Sequence, residues 1–178
     1  MAYLNVEGSL EKGLSWELPY LKVIWQPSLP EGSSSKRLSL CLGASGEVEH
    51  FYKDLDHSIL RLAAANSQQL FGKRRSIEDL ALSYSGLLGR SQKGVLVKSK
   101  INPPDGARPT LVWDEEGEEL PWPETWQGKE AKSIQVLSSL WVSGGRWGVT
   151  VSTSNVCIRE PELVAPVKKF PVSKAQPN

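Results

Sequence analysis

Cysteine, histidine and methionine are nearly missing from this chain: two Cys, two His and one Met among 178 residues. Cys41 and Cys157 lie far apart and outside any CxxC spacing, which excludes a disulfide scaffold and a cysteine-rich zinc site. No stretch of about 18 apolar residues occurs, and MAYLNVEGSL does not place a basic run before an apolar one, so no membrane span or secretory signal is visible. The expected protein is soluble and intracellular, without a membrane partner. An excess of charge is lacking too. The 21 Lys+Arg against 20 Asp+Glu leave a net charge of +1, which taken alone argues against a phosphate-rich partner. What the chain does have is 39% hydrophobic residues, seven Trp and 12 Pro, enough apolar mass for one compact domain. We place that domain at residues 1–160. The Pro- and Lys-containing segment 161–178 is expected to be a flexible tail.

The balanced total conceals blocks. Residues 1–71 carry net −2, 72–108 net +5, 109–126 net −6 and 127–178 net +4. Two basic stretches therefore flank an acidic one, and the whole-chain figure is uninformative about any one surface.

Periodicity outlines the elements. Tyr20–Trp25 and Arg37–Leu42 alternate as half-buried strands should, and the Pro-, Gly- and Ser-rich stretch between them predicts a hairpin with a long tip. Phe51, Leu55, Ile59, Leu62, Asn66 and Leu70 recur at helical spacing, with Gly72 suited to a C-terminus, so a helix is expected over about 51–71. Ser76 and Asp79 approximate a capping box for a second helix over about 77–85. KGVLVKSKI then puts Val95, Val97 and Ile101 on one strand face and Lys98 and Lys100 on the other. A short strand over 110–113 precedes the acidic turn DEEGEE. Residues 133–142 and 147–158 alternate on either side of Ser143-Gly144-Gly145 and predict an antiparallel hairpin, with Ile134, Val136, Leu140 and Val142 inward and Trp141 outward. Strands, helices and strands again, with no βαβ rhythm, indicate an α+β protein with a mainly antiparallel sheet or small barrel.

Catalytic chemistry has little to draw on. His50, Asp54 and His57 can share one helix face and permit a metal-dependent enzyme, but no further His completes a set. Asp54 and Asp56 are equally well explained as acids near a helix start. Phosphate loops, dinucleotide fingerprints and Ser-His-Asp signatures do not occur, so no enzyme and no cofactor is expected. Binding of a single nucleic-acid strand needs cations for phosphates and flat side chains for bases, and both are present on strands. Lys98 and Lys100 face away from the expected core, Trp141 opposes the apolar face of its strand, and Arg146 and Trp147 follow the turn. Lys73, Arg74 and Arg75 add a cluster between the helices. Trp25 and Trp113 are assigned to the core side, where most Trp reside.

The succession of LFGK (70–73), SIEDL (76–80), VLVKSKI (95–101), LVWDEEGEEL (111–120), WQGK (126–129) and SIQVLSSLWVSGGRWGVTVSTSNVCI (133–158) resembles the single-stranded DNA-binding proteins of bacteriophages and large DNA viruses. The likeness spans roughly residues 20–159. It implies an OB-like β-barrel with two inserted helices, and a groove in which Lys98, Lys100, Trp141, Arg146 and Trp147 meet DNA. It also implies roles in DNA replication, recombination or repair, with single-stranded DNA or RNA, further copies of the chain and replication proteins as partners, in the host cytoplasm or nucleus if the source is viral. One departure stands out. Several members of that family end in an acidic tail that competes for the groove, whereas this one carries Lys168, Lys169 and Lys174. The acidic 114–124 segment is the substitute the sequence offers, and neutralising it is then expected to tighten single-strand binding. The competing reading is a structural or assembly β-protein, viral or accessory, whose Trp-rich surfaces meet other proteins.

Overall fold

The computed structural model describes residues 6–9, 13–29, 36–106 and 108–161. The residues from 162 onward, most of the expected tail, lie outside that set. Ten strands form one sheet: β1 (Val6–Ser9), β2 (Gly13–Lys22), β3 (Leu38–Ala44), β4 (Tyr84–Ser85), β5 (Leu88–Ser91), β6 (Gly94–Ile101), β7 (Leu111–Trp113), β8 (Glu119–Leu120), β9 (Glu130–Ser143) and β10 (Arg146–Arg159). Its main path runs β1-β2-β9-β10-β6-β3. Pairing is antiparallel along this path except at β10, which meets β6 in parallel and also takes β4 and β7 as parallel partners. The sheet is not closed. β3 meets the chain past β2 through the isolated bridges Val23↔Leu42 and Ser28↔Ser39 and the Ile24 N–H donated to the Cys41 carbonyl at 3.0 Å. The α+β, mainly antiparallel expectation holds; the barrel stands here as an open, strand-rich sheet.

The hairpin expected from 20–25 and 37–42 does not form. The two segments meet only at the isolated antiparallel bridges Val23↔Leu42 and Ser28↔Ser39, with β1 covering just Gly13–Trp16 of β2, and β3 forms its continuous ladder with β6 instead. Pro19 sits where the β2–β9 register shifts between Leu18 and Leu21, a place where a residue without an N–H costs no ladder bond.

Between β3 and β6 the chain makes three helices rather than two: α1 (Gly46–Ala65), α2 (Ser67–Phe71) and α3 (Ile77–Ala81). α1 starts earlier than expected and buries Val48, Tyr52, Leu55, Ile59 and Ala63, so Leu62 is on the outside at 65% exposure. Asn66 interrupts the run, its Nδ2 donating to the Leu62 carbonyl at 2.8 Å. Gly72 ends α2 in the left-handed conformation, φ 73°, as its position suggested. Ser76 Oγ accepts from the Asp79 N–H at 3.1 Å to cap α3, but the helix stops at Ala81 and Tyr84–Ser85 is already strand.

The 133–158 hairpin is real, and the first half of β9, up to Ser138, is turned over relative to expectation. Gly144 and Gly145, both at positive φ, make the two-residue turn. On β9, Ala131, Ser133 and Gln135 are buried and Ile134 is 41% exposed; past the extra residue Ser138 the parity changes, so Leu140 and Val142, exposed near the tip, lie opposite Val149 and buried Trp147, and Trp141 is on the other face as expected. The inward face is fixed by a buried polar relay: Trp16 Nε1 donates to Tyr52 Oη at 3.1 Å, and Tyr52 Oη donates to Gln135 Oε1. Gln135, its Oε1 engaged in this relay, thus occupies a core position that periodicity alone reserves for an apolar residue. The register leaves Ser138 and Ser154 as extra residues, two bulges that bend the ribbon.

Candidate nucleic-acid interface

β6 carries the first part of the site. Val97, Ser99 and Ile101 point into the core, at 0%, 4% and 0% exposure, so Lys98 and Lys100 are forced to the opposite side of the strand. Lys98 is exposed and Lys100 half-buried. The Lys100 ammonium donates to Ser39 Oγ on β3 at 2.9 Å. Burial, then the neighbouring Arg37 and Lys98 charges, pull Lys100 below the usual lysine range, while the Cys41 thiol acts the other way. A bound anion would relieve this repulsion on Lys100.

Trp141 supplies the flat surface. Its partner across the hairpin is Gly148, and a Cβ built on that glycine would lie 2.7 Å from Trp141 Cζ2. The indole therefore rests against bare backbone on one side and remains 36% exposed on the other. Behind Gly148 stands β4, whose Ser85 pairs with it. Asp56 on α1 holds this segment: Tyr84 Oη donates to Asp56 Oδ1 at 2.6 Å and the Leu87 N–H to the same oxygen at 3.1 Å. Lys98, Lys100 and Trp141 line one cleft of about 210 Å³, with Ser85, Gly86 and Thr150 completing its walls.

The other expected site residues are elsewhere. Trp147 is a correction: it is 1% exposed, donates from Nε1 to the Leu80 carbonyl at 3.0 Å, and packs on Tyr84 at 4.6 Å and Phe71 at 5.4 Å, so no base can reach it. Arg146 is exposed at the hairpin turn and does not line the cleft. Lys73 and Arg74 are exposed and Arg75 half-buried in the α2–α3 turn, which is pinned by Ser67 Oγ accepting from the Arg75 N–H at 3.0 Å. Arg75 also covers Phe71 at 5.6 Å, and through Phe71 the turn abuts Trp147, not the cleft. Trp25 and Trp113, assigned to the core side, are half-buried, and Trp113 Nε1 donates to Asn155 Oδ1 at 3.1 Å. Two residues escape a reading of the sequence. Arg37, which donates to Ser152 Oγ beside Lys100, is hidden in the sequence after a run of serines; Gly148 carries only the signal of a lone glycine inside a strand.

The alternative chemistry finds no support in geometry. His50 Nε2 lies 3.4 Å from Asp54 Oδ2 on an open helix surface, and no metal-holding group of His, Cys, Asp or Glu occurs among the described residues. Cys41 and Cys157 are free thiols. No helix among the described residues is long and apolar enough to cross a membrane.

The whole arrangement can be compared with known proteins. No family profile and no curated sequence matches the chain. Solved structures do: the single-stranded DNA-binding protein of bacteriophage Enc34 in complex with single-stranded DNA superposes with a TM-score of 0.57 at 10% identity, over 89% of this chain and 96% of that one. The fold is shared with phage single-stranded DNA-binding proteins. The protein encoded by bacteriophage T7 gives 0.55 at 13% identity, over 92% of this chain and 96% of its own. A second structure of the Enc34 protein gives 0.55 at 11%, over 90% and 91%.

Proposed function

We propose that the protein binds single-stranded DNA with little sequence preference, coating it during replication, recombination or repair, and does so without catalysis. The observation that carries this reading is the convergence of Lys98, Lys100 and Trp141 on one cleft of a sheet whose structural relatives are single-stranded DNA-binding proteins by name. The chemistry suits a strand without a partner: ammonium groups for phosphates, and one indole face for a base, a contact worth about 1–3 kcal/mol. An open cleft with no convergent acid, base or metal group favours binding over turnover. Lys73, Arg74, Arg75 and Arg146 stay in the proposal as outlying cations that attract the backbone rather than as groups of the cleft.

Intrinsic Trp fluorescence titrated with oligo(dT), oligo(rU) and duplex at two salt concentrations tests it. The expected result is saturable quenching by oligo(dT), weaker with duplex and weaker at the higher salt. Equal affinity for duplex, or no quenching at all together with a salt-insensitive oligomer, overturns the reading and favours the assembly alternative. The oligo(rU) arm decides whether RNA is also a ligand.

A further inference from the structure

Beyond the Trp141 cleft, the same side of the sheet opens into a larger cavity of about 690 Å³, within the range of ligand-binding pockets. Among the described residues, Lys36, Arg37 and Arg108 line it together with one acid, Asp105, and its apolar surface comes from Leu29, Leu38 and Pro103. Its position follows from register. Lys98 and Lys100 stand two residues apart on β6, Ser39 pairs with Lys100, and Leu38 pairs with Ile101. Arg37, one residue further, donates to Ser152 Oγ, and Ser152 is itself the β10 partner of Lys100. The two cavities are thus joined by a line of cations, Lys98, Lys100 and Arg37, about 10–13 Å long at the rise of a strand.

The far wall is built to hold shape. Asn102 donates its N–H to Thr110 Oγ1 at 3.0 Å and accepts the Thr110 N–H on its carbonyl at 3.0 Å, while its Nδ2 donates to the Arg108 carbonyl at 2.6 Å. Thr110 Oγ1 in turn donates to the Thr153 carbonyl at 2.9 Å, tying the loop to β10. The Arg108 backbone is therefore placed before any ligand arrives, and less ordering is required on binding.

We infer that this cavity is a second subsite for the same strand, taking its phosphates on Lys36, Arg37 and Arg108 and a base or sugar against Leu29, Leu38 and Pro103. The inference rests on the single-strand-binding reading and adds to it a direction: the strand runs from Trp141 along β6 and past Arg37, instead of across the hairpin tip toward Arg146. Cations paired with apolar surface fit a nucleotide unit better than a bare anion, which has no use for the latter.

The test uses the full chain carrying K36A and R108A together, both at exposed positions, with K53A/R61A on α1 as a control for net charge. Affinity for an oligo(dT) of about 16 nucleotides, the long end of a single-domain site, is measured across a salt series. Each phosphate left without its cation should lower the slope of log affinity against log salt by about 0.7, so K36A/R108A is expected to lower it by about 1.4. Quenching that disappears in Trp141→Phe should persist in K36A/R108A, and K53A/R61A should leave the slope unchanged. Binding by the wild type with an unchanged slope in K36A/R108A, or an equal fall in the control, overturns the second subsite alone. No binding by the wild type overturns the single-strand reading and this inference together.

Discussion

A Cβ at position 148 would meet Trp141 Cζ2 at 2.7 Å on one side and the Ser85 carbonyl oxygen at 3.1 Å on the other, so the indole keeps its seat only while that residue is glycine. Gly148→Ala is therefore expected to tilt Trp141 out of the cleft and weaken oligo(dT) binding by a factor between one and that of Trp141→Ala, which removes the stack and should cost about 5- to 150-fold, read by fluorescence or anisotropy titration. A Gly148→Ala variant with full affinity would mean that Trp141 does not bind bases. Lys100 gives a pH prediction. Its ammonium is held below the ordinary lysine range, and losing the proton removes an attraction for phosphate, so affinity should begin to fall at a pH below that at which an ordinary lysine titrates; Lys100→Arg should flatten the alkaline limb of a plot of Kd against pH. Lys98 and Lys100 are legible in the sequence because β6 alternates from Val97 to Ile101. Gly148 is not, since its importance is created by the residue opposite it and pairing register is not written in either strand alone. Trp147 misleads for the same reason: a tryptophan beside a turn looks open until the parallel partner β4 and the ring of Phe71 cover it.

Elements are readable where one period runs unbroken, and are misplaced where a buried polar group replaces an apolar one. The periodicity identifies α1 and its central Leu55 and Ile59 but sets the flanking positions one residue early, with Ala63 buried in place of Leu62 and Tyr52, whose hydroxyl serves Trp16 and Gln135, buried in place of Phe51. The same relay inverts the first half of β9, with Gln135 at 0% exposure and Ile134 at 41%, until the extra residue Ser138 restores the expected faces. The β3–β6 pairing cannot be read, because some 50 residues separate partners such as Ala44 and Val95. One element-level link bears on the site. Asp56 on α1 accepts from Tyr84 Oη and the Leu87 N–H, and so holds the segment that backs Gly148. Asp56→Ala leaves the buried Leu87 N–H without its acceptor and should destabilise the fold by about 1–3 kcal/mol in denaturant unfolding. Burial is the main influence on this carboxyl and raises its pKa, with the Tyr84 and Leu87 hydrogen bonds opposing. A raised pKa makes the group's contribution greatest below the ordinary carboxylate range and lets it decline as pH climbs through the folded-state value. Asp56→Asn, which keeps an acceptor but cannot ionise, should therefore flatten thermal stability against pH in that window; an unaltered profile would show that Asp56 does not titrate differently in the folded protein.

At the scale of the molecule, the alternation of charge along the chain becomes a separation in space. The β7–β8 hairpin carrying the acidic block joins β10 at Asn155–Cys157, whereas the Trp141 cleft borders β10 at Val149–Val151. At the rise of a strand these places are about 15–25 Å apart, beyond the screening length of about 8 Å at physiological salt. Glu115 is moreover paired with Arg159, and Asp114 Oδ1 accepts the Glu118 N–H at 2.8 Å, so part of the block is engaged in holding its own hairpin. Neutralising Glu116, Glu118 and Glu119 is accordingly expected to change oligo(dT) affinity less than about twofold at roughly 0.15 M salt, with tightening confined to dilute buffer; strong tightening at that physiological salt would restore the idea that this hairpin competes with DNA. β10, finally, is the partner of β4, β6, β7 and β9 at once. A chain emerging from the ribosome makes all four before it makes β10, and until Arg159 has been added each waits with an open edge. Synthesis itself thus imposes an interval in which the nascent protein is most exposed to aggregation, and chaperone demand should peak just before this strand appears.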